Sequence, residues 1–351
     1  MSRAWILPAA LVLFSLTSTS HAEDKAASQA RLQRADALTR LDDPALKPWY
    51  LKTNFSLFDD AGKLAEQGTL EEWWAGPSLY KRTITSPSYT ATIIVNKDGR
   101  FRTTGSAETP YLLEQLEHQI VHPLPGEDGI AGSTPQLQKP AASGPPVDCV
   151  MLSRTLRNVP YPEIGLFPTY CMQHDKDVLQ VSYDYGSFMA VRSALGMFQQ
   201  RVMPVELTIY MNRVTAASSR IVALKTAPLT EADFVPPAGM EPVATERVTL
   251  PYRDIKDTHI ANIAPATPPG LQPSVLSQPV EIHVRLGTDG HVHAMRLAST
   301  PDPRLATAAM AAVVRWTYAP HLVNGKAVEV ETTIPVMFSN GVGLGEIGPK
   351  R

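Results

Sequence analysis

Between Gln278 and Phe338 the chain alternates apolar and polar residues twice, with a helical stretch between. Val280, Ile282, Val284 and Leu286 are separated by Glu281, His283 and Arg285. Successive side chains of a strand point to opposite faces, so this spacing predicts a strand with one buried face. Gly287-Thr288-Asp289-Gly290 has turn chemistry, and His291 to Ala298 reads as the returning strand of a hairpin. Asp302 then offers an N-cap oxygen, and Pro303 lacks only an N–H that the first helical turn leaves unused. Leu305, Ala309, Ala312, Val313 and Trp316 fall on one helical face, and Pro320 bars continuation. Asn324-Gly325 makes another turn. Val328, Val330, Thr332, Ile334, Val336 and Phe338 alternate again as a last strand. The predicted order is strand, strand, helix, strand.

The N-terminal two-thirds follows a different plan. Leu32, Ala35, Leu38 and Leu41 recur every third position, which predicts an amphipathic helix ended by Asp42-Asp43-Pro44. From Trp49 the period falls to two. Strands are expected over 50–59, 68–74, 80–85, 89–95 and 100–104, with turns such as Asp60-Ala61-Gly62-Lys63 and Asn96-Lys97-Asp98-Gly99: an antiparallel meander. A helix over 109–122 carries Leu112, Leu116 and Ile120 at fourfold spacing. Pro123 to Pro146 is rich in Pro, Gly and Ser and reads as an exposed loop. Strands resume over 148–156, 166–173, 178–185, 198–211 and 213–226. Residues 246–277, with Pro265, Pro268 and Pro269, read as a linker, and 340–351 as a flexible glycine-containing tail.

Composition narrows the function. The net charge of −2 gives no reason to expect nucleic acid as a partner. Met1-Ser2-Arg3, an apolar run from Ala4 to Leu16 and the small-residue ending Ser20-His21-Ala22 have the layout of a secretory signal peptide over 1–22. As a helix the apolar run spans about 20 Å, short of the roughly 30 Å of a bilayer core. An uncleaved inner-membrane anchor is the alternative. No cysteine follows the run, which excludes a lipoprotein anchor. The two cysteines, Cys149 and Cys171, are expected to form a disulfide in an exported chain, worth about 3 kcal/mol by loop entropy.

Catalytic signatures are missing: there is no H-E-x-x-H, no G-x-S-x-G and no P-loop. His291 and His293 share a strand face, with His283 on the preceding strand. They read as exposed strand histidines, because a zinc site wants a better-defined set of four ligands. No cofactor, metal or catalytic residue is assigned, and the chain reads as non-enzymatic. Met189, Met197, Met203 and Met211 read as core residues, with a lipid cavity as the alternative.

Two family resemblances rest on these segments. Arg315-Trp316-Thr317-Tyr318-Ala319-Pro320, then Asn324-Gly325-Lys326-Ala327-Val328, then Ile334-Pro335-Val336-Met337-Phe338, following the hairpin and helix, resemble the C-terminal domain of TonB-family proteins over 278–339. That resemblance implies a small β-β-α-β domain that binds an extended protein segment, the TonB box of an outer-membrane receptor or another periplasmic segment. The last strand is then a candidate partner-binding edge through Val328, Glu329, Val330, Glu331, Thr332 and Thr333, with the two glutamates exposed. The same charges and Pro335 would equally protect a bare edge. Residues 23–245 resemble the LolA/RseB type of lipoprotein-binding domain. The resemblance is carried by the opening helix, the strand-turn-strand from Tyr50 to Trp74 and the closing Asp233-Phe234-Val235-Pro236-Pro237-Ala238-Gly239. It implies a curved antiparallel half-barrel with helices in its concave face and room for an acyl chain or a lipoprotein. The expected class is thus α+β. The expected function is a periplasmic TonB-family binding protein in transmembrane transport, the alternative being a lipid or lipoprotein carrier.

Overall fold

Apolar side chains on one face of a long run of strands fix the architecture. The computed structural model describes residues 19–106, 109–126, 130, 134–138, 147–153, 167–184, 188–211, 213–243, 247–299, 302–338 and 343–344. Residues 1–18 of the expected signal peptide lie outside that set, and with them the choice between leader and anchor. Among the described residues no helix is long and apolar enough to cross a membrane.

Helix α1 (Thr19–Thr39) precedes the meander of β1 (Trp49–Phe58), β2 (Leu64–Gly76), β3 (Leu79–Thr85), β4 (Thr90–Asn96) and β5 (Gly99–Thr103). After α2 (Tyr111–Val121) come β6 (Thr134–Gln138), β7 (Val147–Ser153), β8 (Thr169–Gln173), β9 (Leu179–Asp184), β10 (Phe188–Phe198), β11 (Arg201–Met211) and β12 (Val214–Thr226). A short β13 (Met240–Pro242) adds to β5. Together they form one antiparallel 13-stranded sheet in the order β13-β5-β4-β3-β2-β1-β12-β11-β10-β9-β8-β7-β6. The early meander joins the later strands where β1 pairs with β12, Trp49 lying opposite Thr226.

Helix α2 packs into the concave face. Its Leu113, Leu116 and Ile120 are buried in one cluster with Trp49, Leu70, Trp74 and Leu207 from three strands. Trp74 stacks on Trp49 with ring centroids 5.6 Å apart, while its neighbour Trp73 points to the other face and pairs with Tyr50. Helix α1 covers the other half of the sheet, where Leu32 and Ala35 meet Val150, Leu152, Met172 and Leu179.

Two expectations are corrected. The stretch read as an exposed loop buries Leu124 and Ile130 and supplies β6, the last strand of the sheet. The strand expected to start at Phe198 starts at Arg201, because Gln199 and Gln200 form a hairpin turn at φ 44° and 67° that joins it to β10, which went unpredicted. Glutamine gives no turn signal at positions where glycine or asparagine is the usual sign.

Cys149 and Cys171 are directly opposite on β7 and β8 and are joined by a disulfide. Replacing both with serine is expected to lower the unfolding free energy by about 2–3 kcal/mol. A urea transition checks this, and an unchanged midpoint would show that the bridge adds nothing to the fold.

Candidate functional site

The C-terminal sheet is built from strands in which apolar and polar residues alternate. It consists of β16 (Val280–Leu286), β17 (Val292–Leu297) and β21 (Glu329–Phe338), and also takes in β14 (Arg247–Thr249) and β22 (Gly343–Leu344). Gly290 closes the β16–β17 turn at φ 77°, and its carbonyl accepts from the Tyr318 N–H. A Cβ there would lie 1.9 Å from the Tyr318 carbonyl oxygen, so only glycine fits. Helix α4 (Pro303–Val313) lays Leu305, Ala309, Met310 and Val313 on the sheet, with the Asp302 side chain capping the Arg304 N–H at 2.9 Å.

Within the segment expected as a linker, residues 247–277 form short elements that pack on the C-terminal core. β14 runs parallel to β21, β15 (His259–Ala261) pairs with β18 (Thr317–Tyr318), β19 (Leu322–Val323) with β20 (Lys326–Ala327), and the short α3 (Pro273–Leu276) leads into β16. Ile255 and Leu276 are buried in the C-terminal core, and Trp316 Nε1 donates to the Ile263 carbonyl at 2.8 Å. Apolar side chains spaced along the segment, Val248, Leu250, Tyr252, Ile255 and Leu271, hold it there. Of the expected tail, Gly343–Leu344 pairs with Met337 and Phe338, and the rest lies outside the described residues.

The expected edge also changes. In the sheet order β14-β21-β16-β17, β14 pairs with Glu329 to Glu331 of β21, and Val330 and Glu331 are flanked on both sides. Its occupant is this chain's own Arg247–Thr249, extended by a hydrogen bond from the Leu250 N–H to the Glu331 carbonyl at 3.0 Å. Glu329 is not an exposed side chain: it retains 12 % of its accessibility. It takes Arg247 from β14 at 2.8 Å and Arg285 from β16 at 3.0 Å. Glu331 accepts a second Arg247 nitrogen at 3.2 Å. Val328, Val330 and Thr332 face the core, and Thr333 is exposed. Between the stretches covered by β14 and β22, residues 332–336 pair, among the described residues, only with β16. The 3-10 turn Tyr252–Asp254 lies nearby, and Pro335 has no N–H to offer there.

His293 is buried, against the expectation of an exposed strand histidine; its side chain is 3 % accessible. Its Nδ1 lies 3.0 Å from Glu114 Oε2 on α2, and its Nε2 lies 3.0 Å from Asp289. Both ring nitrogens face carboxylates, so both must donate and the ring is an imidazolium. Burial alone would push its pKa down, but the Asp289 and Glu114 carboxylates outweigh that and carry it up to about 10. Beside it, Val292 to Met295 and the half-barrel residues Tyr111, Gln115, Asp184 and Phe188 enclose a cavity of about 100 Å³. Burial pushes the Asp184 carboxyl up to about 7. Met151 and Phe167 of the half-barrel belong to the C-terminal core cluster, so the two parts of the chain are packed together. No sequence signal links His293 to Glu114, which stands 179 positions away.

The concave face, the expected place for an acyl chain, is filled along α2. Besides the apolar contacts, Arg82 on β3 bridges Glu72 on β2 and Glu117 on α2. Buried Arg192 on β10 donates to Gln119 on α2 and to Ser182 on β9. Of the four methionines, Met203 is buried in the core with Met211 packed against the same cluster, and Met197 is exposed on the β10–β11 hairpin. Among the described residues no three His, Cys, Asp or Glu side chains come together as a metal site.

Residues 277–339 match the family of the Gram-negative bacterial TonB protein C-terminal domain. Solved structures similar to the chain include a LolA superfamily protein from Nitrosomonas europaea, 12% identical with TM-score 0.41, the match covering 60% of this chain and 97% of that one. A DUF1329 family protein from Desulfovibrio piger is 12% identical with TM-score 0.38 over the same shares. MucB is 10% identical with TM-score 0.22, over 62% of this chain and 66% of its own. No curated protein matches the chain.

Removing the imidazolium leaves two carboxylates facing each other across the junction. His293→Ala is expected to cost about 3–5 kcal/mol. The folded-state pKa lies above the free value of 6.5, so the His293 contribution is full below about 6.5 and is lost as pH rises towards about 10. The gap in Tm between the wild type and the variant should therefore shrink from pH 6 to pH 10. A constant gap would show that the ring is not charged in the fold.

Proposed function

We propose that this chain is an exported, non-enzymatic binding protein of the bacterial envelope. Its C-terminal domain takes up an extended segment of a partner protein by strand addition at β21. The partner this reading favours is an outer-membrane receptor presenting a TonB-box type of segment to a transport process. The observation that carries the reading is the TonB C-terminal match over 277–339, which spans β16, β17, α4 and β21. Strand addition takes its affinity from main-chain hydrogen bonds and its selectivity from alternate side chains. β21 presents the side chains of Glu329, Glu331 and Thr333 on one face, and its outer main-chain groups at 329–331 already pair with a strand, β14. The filled concave face supports a scaffolding role for the half-barrel, which holds the C-terminal domain through His293, Met151 and Phe167.

The test is a titration of isotopically labelled full-length chain with extended peptides copied from receptor N-termini. Backbone amide shifts confined to residues 328–334 are the expected result. Binding that leaves those amides unmoved, or no binding to any such peptide, would refute the reading.

A further inference from the structure

The outer edge of β21 is already occupied, and the occupant is held by few groups. β14 contributes three ladder residues and arrives after β13 of the half-barrel. Pro251, which has no N–H, ends its ladder. Arg247 is the main polar hold, and its side chain is 45 % exposed. Ion pairs that exposed contribute roughly 0–1 kcal/mol each. Val248 and Leu250 turn inward but stay only partly buried against the core.

The acceptor, by contrast, remains built when the occupant is taken away. Glu329 keeps Arg285 as a partner at 3.0 Å. Val330 and Ile334 stay in the core through β16, which pairs with β21 from Val336 to Val330. Vacating the edge therefore orphans no buried charge on β21. What it exposes is a row of main-chain groups flanked by Glu329 and Glu331 on one face, which is an acidic strand-binding edge.

We propose that Arg247–Thr249 is a resident stand-in for a partner strand, and that β21 exchanges it for an extended segment of another protein. The replacing segment runs parallel to β21. It carries a basic residue at the Arg247 position, next to Glu329, and apolar residues at the Val248 and Leu250 positions. This deepens the strand-addition reading and rests on it. It adds the direction of the incoming strand, its charge pattern and the need to displace a segment of the chain itself.

The probe is a labelled synthetic peptide with the chain's own sequence from Thr245 to Pro251, offered to full-length wild type and to Arg247→Glu. The reversed charge faces Glu329 and Glu331 and loosens the resident strand. The peptide should then bind the variant roughly tenfold more tightly than the wild type, and a peptide with glutamate in place of its arginine should bind neither. Equal affinity for both proteins, or no binding to a folded variant, would overturn the proposal. If the variant fails to fold, hydrogen exchange on the wild type decides. The Leu250 amide should exchange far faster than the β16 and β21 amides that join those two strands, and equal protection would mark β14 as a fixed part of the sheet. A wild-type dimer dissolved by the peptide would assign the edge to a second copy and overturn the proposal as well. Receptor-derived peptides separate the two readings. If they bind both proteins equally, strand addition stands and displacement falls. If only the chain's own peptide binds, displacement stands and the receptor assignment falls.

Discussion

An antiparallel sheet that bends without closing leaves an apolar concave face, and most of this molecule is arranged around covering it. α2 does so with four inward apolar residues, Leu113, Leu116, Ile120 and Val121, and buried polar ties through Arg82 and Arg192 fix its position. Buried charges of this kind contribute little net stability when paired and cost several kcal/mol when a partner is lost. They therefore fix where the helix lies more than how strongly it is held. Because α2 is fixed, Glu114 near its start becomes a fixed anion. His293 can then bury as a cation against it and seat the C-terminal domain.

The C-terminal sheet meets the opposite difficulty, since an open edge attracts any extended chain. Part of that edge is covered by a segment of the same chain, and Glu329 joins it to the sheet through an arginine on each side. A strand that caps an edge must resemble what the edge binds. The sequence of a cap is thus also a record of the site's preferences.

What could be read from the chain alone was what is local. The period-two runs of β16 and β21 and the Asp302-Pro303 start of α4 each span fewer than about a dozen residues, the range over which periodicity carries information. The same holds for β1 to β5. Arg247–Thr249 could not be read this way: three residues hold no period, and their partner Glu329 is 82 positions on. Their proline-rich surroundings resembled a linker because Pro and Gly mark irregular backbone without saying whether it packs. The hairpin at Gln199-Gln200 was hidden by residues that rarely adopt left-handed backbone. His293 lay in a legible strand, but its burial depends on a helix far away in the sequence.

The pairing of β1 with β12 carries a consequence for the order in which the molecule can form. Synthesis delivers β1 through β5 early, and their hairpins need only near neighbours. The far side of β1 must wait until residue 226 is available. α2 has its core contacts with β11 and β12 only then, and its Glu114 lacks its counter-ion until residue 293 follows. Long-range pairing of this kind slows folding and leaves strand edges open while it waits. During that interval the first-made strands of the half-barrel present the same kind of bare edge that β14 later covers on the C-terminal sheet.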